Sequence, residues 1–184
     1  MPRRSDGTLV PALPQSAMGF PTIPGVLYNG RAHTGDWFDF GSRIAEGVLT
    51  VLPPILRGTP YPVLVPKTDT DGNDLAGIRI PDVAVPLATY TGWALRAFPA
   101  GGNDGCDAAG QKIDFLKTRA ERLAAGDPRL SLEERYPSHD AYVGRVSESA
   151  AGLQRERLLL AEDVERFIRA ATARPVGAGT AVLP

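Results

Sequence analysis

The sequence holds several side chains that could act as a nucleophile or a base, but their spacing matches no catalytic pattern. A serine nucleophile on a sharp turn from strand to helix has the pattern G-x-S-x-G, and the nearest case, residues 41–43 (GSR), lacks that spacing. The two histidines, His33 and His139, lie far apart in the chain, and we predict that both are surface residues. Cys106 stands directly before Asp107, whose negative charge disfavours the thiolate that nucleophilic attack requires. We therefore identify no catalytic residue in this sequence.

One acidic segment begins like a calcium-binding loop. Asp69, Asp71 and Asn73 occupy the spacing of the first three ligands of an EF-hand. That motif also needs glycine at its sixth position and a bidentate glutamate at its twelfth, where this chain has Asp74 and Ile80. The segment is therefore predicted to be a solvated, unliganded turn.

Motifs for other cofactors are missing as well. A single cysteine excludes a disulfide framework and a zinc site with several cysteines. The glycines never form the phosphate-binding patterns G-x-x-x-x-G-K-[ST] or G-x-G-x-x-G. We predict no metal and no cofactor.

An aromatic and hydroxyl-rich stretch at residues 89–96 (TYTGWALR) is the remaining candidate for a binding site. Aromatic rings near a guanidinium can line a ligand pocket, which makes Tyr90, Trp93 and Arg96 candidate substrate-binding residues. The alternative is that the rings pack in the core and the arginine has a structural partner.

Composition describes an ordinary globular chain and excludes two classes of partner. The chain has 184 residues and a formal net charge of −1, which argues against binding to nucleic acid or to an anionic membrane. Its apolar runs are a few residues long, whereas a membrane span needs about 20. The start of the chain has no apolar stretch typical of a secretory signal, so a cytoplasmic location is the default expectation, although a longer parent protein could be exported.

Proline is distributed unevenly and divides the chain. Thirteen of the 17 prolines lie in residues 1–99, and because proline fixes φ and lacks an N–H, this half cannot be long regular helix. We predict a mixed α/β chain of five segments: an extended wrapping segment (1–60), short strands with a hairpin (61–98), a glycine-rich loop (99–110), a helical region (111–174) and a frayed tail (175–184).

Local patterns predict particular elements within these segments. Residues 61–66 and 75–80 are two β-rich runs on either side of the acidic turn, as in a hairpin. Apolar residues at 113, 116, 120 and 123 share one face of a predicted helix. Ser131 and Glu134 form a capping-box pattern, and Ser138 can cap a longer helix. A last helix is predicted from the apolar stripe at 164, 167, 168 and 171.

Several long strings resemble one family. That family is a largely uncharacterised bacterial group of alpha/beta hydrolase domain proteins, usually several hundred residues long. The strings, in chain order, are 6–10 (DGTLV), 19–26 (GFPTIPGV), 66–73 (PKTDTDGN), 83–93 (VAVPLATYTGW), 118–129 (TRAERLAAGDPR), 131–137 (SLEERYP) and 159–166 (LLAEDVER).

The resemblance implies a fold, and an activity that this chain lacks by itself. The strings are similar to the C-terminal third of the family, whose nucleophile elbow and histidine are expected upstream, so no catalytic residue can be carried over. The chain is thus identified as the C-terminal part of an α/β-hydrolase-like architecture. The resemblance implies a parent that hydrolyses esters or related acyl compounds through a serine. The isolated chain is then expected to be inactive, with the missing N-terminal hydrolase portion as its partner and a small-molecule ester as substrate of the full-length parent only.

Two other interpretations stay open. The chain could be a stand-alone binding or scaffold module that reuses the segment. It could also be a small enzyme built on Cys106 or His139.

Overall fold

The computed structural model describes most of the chain and shows a mixed α/β structure. The described residues are 4–11, 15–27, 37–58, 64–96, 99, 101–102, 105–106 and 109–176. His33, Asp107, residues 61–63 of the first predicted strand, and residues 177–184 of the predicted tail lie outside them. Among the described helices, none is both long and apolar enough to cross a membrane.

The first half consists of short elements. Its strands are β1 (Leu9–Pro11), β2 (Phe38–Asp39), β3 (Ile55–Leu56) and β4 (Leu64–Pro66), and its helices are α1 (Gln15–Met18) and α2 (Pro81–Ala84). Strands β1 and β4 pair antiparallel, with Val10 opposite Val65. Strands β2 and β3 form a second antiparallel pair, with Phe38 opposite Leu56. Short 3-10 helices at Arg4–Asp6 and Ile44–Glu46 complete this part.

A long hairpin, built from four short strands, joins the two halves. Its strands are β5 (Ala88–Thr91), β6 (Ala94–Leu95), β7 (Gly105–Cys106) and β8 (Gln111–Asp114); β5 pairs with β8 and β6 with β7, both antiparallel. A Cβ at Gly110 would lie 2.4 Å from the carbonyl oxygen of Thr91. Glycine is therefore required where the first ladder ends and the second begins.

The helical half follows the hairpin. Its helices are α3 (Arg119–Ala125), α4 (Leu132–Arg135), α5 (His139–Arg155) and α6 (Ala161–Thr172). The predicted capping box of Ser131 and Glu134 starts α4, and Ser138 caps α5 by accepting a hydrogen bond from Ala141 N. A second capping box, of Thr118 and Glu121, starts α3.

Two apolar clusters form the described core. The first lies where α5 and α6 meet α2, and its buried members are Val85, Tyr136, Tyr142, Val146, Ala171 and Val176. The second lies beside the long hairpin and contains Met18, Phe20 and Ile23, with Trp93 and Ile113 packed against them.

The predicted hairpin of residues 61–80 is wrong in its second strand. Strand β4 pairs with β1 instead, and residues 75–80 are irregular. Only an isolated bridge between Thr68 and Asp74 remains of the predicted ladder. The reason is the turn itself: the Asp69 carboxylate accepts hydrogen bonds from the N–H groups of Asp71 and Asn73. The chain is thereby closed into a tight loop.

The boundaries of the predicted loop, helical region and tail also differ from the structure. Strand β7 lies inside the predicted glycine-rich loop, and β8 occupies the start of the predicted helical region. Helix α3 starts only at Arg119, because the Thr118 capping box sets its beginning, and Leu123 is 57% exposed rather than buried. Val176, within the predicted frayed tail, is buried in the first cluster.

Candidate functional site

A cavity of about 400 Å³ opens between one face of the long hairpin and the chain that follows α6. Residues directly opposite in an antiparallel pair share a face, as do residues two apart on one strand. Tyr90, Lys112 and Asp114 therefore point to the same side. The cavity is lined by Leu87, Tyr90, Lys112, Asp114, Phe115, Lys117, Leu132, Arg174, Pro175 and Val176.

Tyr90 is the polar group of β5 that faces this cavity. It is half-buried, and burial, together with the nearby negative charge of Asp82, raises the pKa of its phenol above the ordinary value. At neutral pH its hydroxyl is therefore protonated and can donate a hydrogen bond.

The other two candidate binding residues lie elsewhere. Trp93 packs on Phe20, with ring centres 5.5 Å apart, in the second apolar cluster. Arg96 is exposed and does not line the cavity. Strand alternation separates Tyr90 from Trp93, since Thr89 and Thr91 are buried on the face opposite Tyr90. The structure thus does not bring Tyr90, Trp93 and Arg96 together, and the role of each in substrate binding stays a prediction.

A second cavity of about 270 Å³ adjoins the first at Arg174, which lines both. Its walls include Asp82 of α2, Tyr142 of α5 and Phe167 of α6. One guanidinium nitrogen of Arg174 donates to Asp82 at 3.2 Å and to the Tyr142 hydroxyl at 3.5 Å. Arg174 therefore links α2 and α5 at the junction of the two cavities.

A buried ion pair lies behind the long hairpin, on the face opposite the cavity. The Arg129 side chain is 2% exposed and forms a two-point pair with the Asp127 carboxylate, at 3.0 and 2.7 Å. Its remaining donors reach the Thr89 hydroxyl at 2.8 Å and the carbonyls of Ile113 and Asp114 at 3.0 and 3.3 Å. Burial alone would raise the pKa of Asp127, but the hydrogen bonds from Arg129 outweigh it and the pKa is lowered.

A second arginine ties the acidic turn to the helical half. The Arg135 guanidinium forms a two-point pair with the Asp71 carboxylate, and its Nε donates to the carbonyl of Leu130 at 2.9 Å. The same guanidinium lies 4.1 Å from the centre of the Phe115 ring, a favourable cation–π arrangement. Asp71, predicted to be solvated, is instead an ion-pair partner of a residue 64 positions away.

Asn73 and Asp69 of the turn are also engaged in structural contacts. Asn73 is fully buried; its amide donates to the carbonyl of Ala88 at 3.1 Å and accepts from the N–H of Tyr90 at 2.8 Å. It thus satisfies the free edge of β5. Asp69 pairs with Arg79 at 2.6 Å. The calcium-like spacing therefore reflects a turn whose side chains bind the protein's own groups.

Among the described residues, the possible nucleophiles and bases lie on different elements of the structure. Cys106 is a half-buried free thiol in β7, and Ser42 is exposed in the turn after β2. His139 is half-buried at the first position of α5, with Nδ1 buried and without a hydrogen-bond partner. Within the described ranges, no group of three or more histidine, cysteine, aspartate or glutamate side chains could hold a metal ion.

Comparison with known proteins assigns the family. The model of the family described as alpha/beta hydrolase domain matches residues 25–169, well over half of the chain. The chain belongs to this family. Neither a curated protein nor a solved structure gives a significant match. The match spans the long hairpin, both ion pairs and helices α3 to α5, so these features belong to the alpha/beta hydrolase domain itself.

The structural role of Arg129 and Arg135 in this hydrolase domain was missed by the sequence reasoning. The Asp-Pro-Arg sequence at 127–129 is the available signal, since an arginine two residues after an aspartate can turn back onto its carboxylate. Arg135 carries no such local signal, because its partner Asp71 is distant in the chain.

Replacing Arg129 tests the buried ion pair. Arg129→Met leaves Asp127 as a buried carboxylate without its counter-charge, and removing one partner of such a pair costs roughly 3–5 kcal/mol. We expect a loss of that size in the free energy of unfolding, measured by urea denaturation. Arg43→Met is the matched control: the Arg43–Glu46 pair is 55% and 59% exposed, and its loss should cost under about 1 kcal/mol. Equal effects of the two variants would contradict the assigned role.

Glu134 gives the hydrolase domain a specific acid sensitivity. Hydrogen bonds from Arg122, and then from the N–H and hydroxyl of Ser131, lower the pKa of Glu134 to about 2. A carboxylate with a lowered pKa in the folded state stabilises fully above its unfolded pKa of about 4.5, and this stabilisation is lost as the pH falls toward 2.

Glu134→Gln should therefore be clearly less stable than the wild type at pH 6, and the difference should shrink between pH 4.5 and pH 2.5. Thermal unfolding followed by circular dichroism measures this. Glu165→Gln, which removes an exposed carboxylate, is the reference for the loss of one charge. A difference that stays constant over this pH range would show that Glu134 does not stabilise the fold as a carboxylate.

Proposed function

We propose that this chain is a non-catalytic flank of an alpha/beta hydrolase, and that serine-dependent hydrolysis of an ester or related acyl substrate is carried out by residues outside it. One observation carries this proposal. The region around the β2–β3 hairpin, residues 37–58, exposes a set of large apolar side chains while lying inside the family match. We call this region the apolar lobe; its exposed large apolar residues are Trp37, Phe38, Ile44, Leu49, Leu52, Ile55 and Leu56.

The apolar lobe is suited to contact another protein surface. Its side chains are exposed to an extent unusual for large apolar residues; Leu52 reaches 71% and Ile55 58%. Exposed apolar patches on a soluble domain mark interaction sites, and these exposed side chains come from one continuous stretch of the chain. Because the lobe belongs to the family's own domain, its natural cover is the remaining portion of the same hydrolase, which is the partner that we propose.

The described sheets support the assignment as a flank. An α/β architecture has a mostly parallel sheet covered on both faces, whereas the strand pairs in the described part of the chain are all antiparallel and two-stranded. A segment that covers such a sheet needs an apolar contact surface and a stable core of its own. The apolar lobe and the two core clusters meet these two needs.

The strongest ion pairs support a structural role. Arg129, Arg135 and Arg122 are each paired in two-point contacts, with Asp127, Asp71 and Glu134. Such contacts hold elements together and leave little freedom for proton transfer.

The alternative is a stand-alone binding module. The cavity of about 400 Å³, with Tyr90 and several charged groups on its wall, favours it. The apolar lobe distinguishes the two proposals, because a self-sufficient module has no need of an uncovered apolar surface.

The catalytic part of the proposal is tested with the purified chain. We expect no turnover of p-nitrophenyl butyrate above the buffer rate and no labelling by a serine-reactive fluorophosphonate. Ser42→Ala is the control at the serine nearest to an elbow pattern, and it should behave like the wild type. Turnover that is lost when a labelled serine is replaced would refute the proposal.

The partner surface is tested with an apolar dye and a lobe variant. A flank with an uncovered lobe should bind 8-anilinonaphthalene-1-sulfonate in its folded state, and Leu52→Gln/Ile55→Gln should reduce the fluorescence several-fold. The stability should change little, since both side chains are exposed. Leu160→Gln, at a residue that is 62% exposed outside the lobe, is the matched control. Dye binding that is weak, or unaffected by the lobe variant, would favour the stand-alone module.

A further inference from the structure

The cavity on the long hairpin combines an apolar lining with a cationic rim. Leu87, Leu132 and Val176 supply apolar surface, and Lys112, Lys117 and Arg174 supply positive charge. We propose that this cavity binds a small organic carboxylate with an apolar body about the size of a phenyl ring. This inference does not depend on the proposed function, since it concerns binding to the chain itself.

The charges of the rim favour an anion. Asp114 also lines the cavity, but it pairs with Lys112 at 2.5 Å. Arg174 is partly neutralised by Asp82, which lies 3.2 Å away on the side of the second cavity. The Lys117 ammonium forms no ion pair within the described part of the chain. The residues that line the cavity therefore carry three positive charges against the one negative charge of Asp114.

The donors of the rim are suited to a carboxylate head. Within the described ranges, Arg174 uses one guanidinium nitrogen for Asp82 and Tyr142, which leaves its other N–H groups for a ligand. Lys117 and the protonated hydroxyl of Tyr90 add donors on the same cavity wall. Charge-assisted hydrogen bonds of this kind are stronger than neutral ones, and they explain a preference for a carboxylate over its neutral amide.

The volume of the cavity is sufficient for a ligand with one ring. Its volume of about 400 Å³ lies toward the lower end of the range for small-molecule pockets, about 300–1,000 Å³. Val176 is 4% exposed and Phe115 is 4% exposed, so the apolar wall is part of the packed core. An apolar body placed there would contact a preformed wall, so its binding requires little rearrangement.

The test is a titration of the isotopically labelled full chain, followed by ¹⁵N–¹H correlation spectra. 3-Phenylpropanoate is the probe, 3-phenylpropanamide is its neutral match, and inorganic phosphate represents an anion without an apolar body. We expect the carboxylate to shift the amides of Lys112, Lys117 and Val176, and to bind about ten-fold more tightly than the amide or phosphate.

Single substitutions test which side chains contribute to carboxylate binding. Lys117→Gln changes an exposed side chain and should weaken carboxylate binding by about three- to ten-fold with unchanged thermal stability. Arg174→Gln should weaken it similarly, with some loss of stability from the Asp82 contact. Arg43→Gln, which removes an exposed positive charge outside the cavity, should leave binding unchanged.

Three results would overturn this inference. They are the absence of shifts at 10 mM 3-phenylpropanoate, equal binding of the amide or of phosphate, and unchanged affinity in Lys117→Gln. None of them bears on ester turnover or on the apolar lobe, so failure here leaves the proposed function standing and separately testable.

Discussion

The ion pair of Arg129 with Asp127 is the constraint on which the two halves of the chain depend. A buried guanidinium is tolerated only when its charge is paired and its N–H groups find acceptors. Here the acceptors are Asp127, the Thr89 hydroxyl on β5 and two carbonyls at the end of β8. The segment between α3 and α4 is thereby held against the long hairpin, and α4 to α6 follow from that position. The capping box of Ser131 starts α4 two residues later, so the loop has little freedom to move away.

The acidic turn is the second anchor, and it connects the proline-rich half to this centre. Asp71 pairs with Arg135, Thr89 donates to the carbonyl of Asp71, and Asn73 completes the edge of β5. A Cβ at Gly72 would lie 2.9 Å from the Thr89 side chain and 3.0 Å from the Phe20 ring, and its φ is +82°. Only glycine fits this position without strain. The turn is therefore a packed junction rather than a solvated hairpin tip.

These two anchors leave two surfaces for function. One face of the long hairpin is used by the buried network, and the other carries Tyr90 and the cavity with its cationic rim. The apolar lobe contains no residue of either anchor and exposes its large side chains. The chain belongs to the alpha/beta hydrolase domain family, and the lobe is the surface that we propose for contact with the rest of a hydrolase. The cavity and the lobe are thus the surfaces of two separate proposals: binding of a small ligand, and contact with the rest of a hydrolase.

Part of this structure could be predicted from the sequence, because it depends on interactions between residues close together in the chain. The caps at Ser131 and Ser138, the helices over His139–Arg155 and Ala161–Thr172, and the scarcity of regular structure in the proline-rich half depend on neighbouring residues, whose effects are visible in the chain. The family resemblance was also evident, because the matching strings are long.

The tertiary structure alone decided the contacts between residues distant in the chain. Strand β4 pairs with β1 rather than with residues 75–80, Ile113 lies in a strand rather than a helix, and Asp71 pairs with Arg135. Tyr90 and Trp93 are three residues apart, yet Tyr90 lines the cavity and Trp93 packs on Phe20. Strand alternation places their rings on different sides of the hairpin. The energy of a long-range contact depends on which partner is nearby after folding, and the order of residues along the chain does not record it.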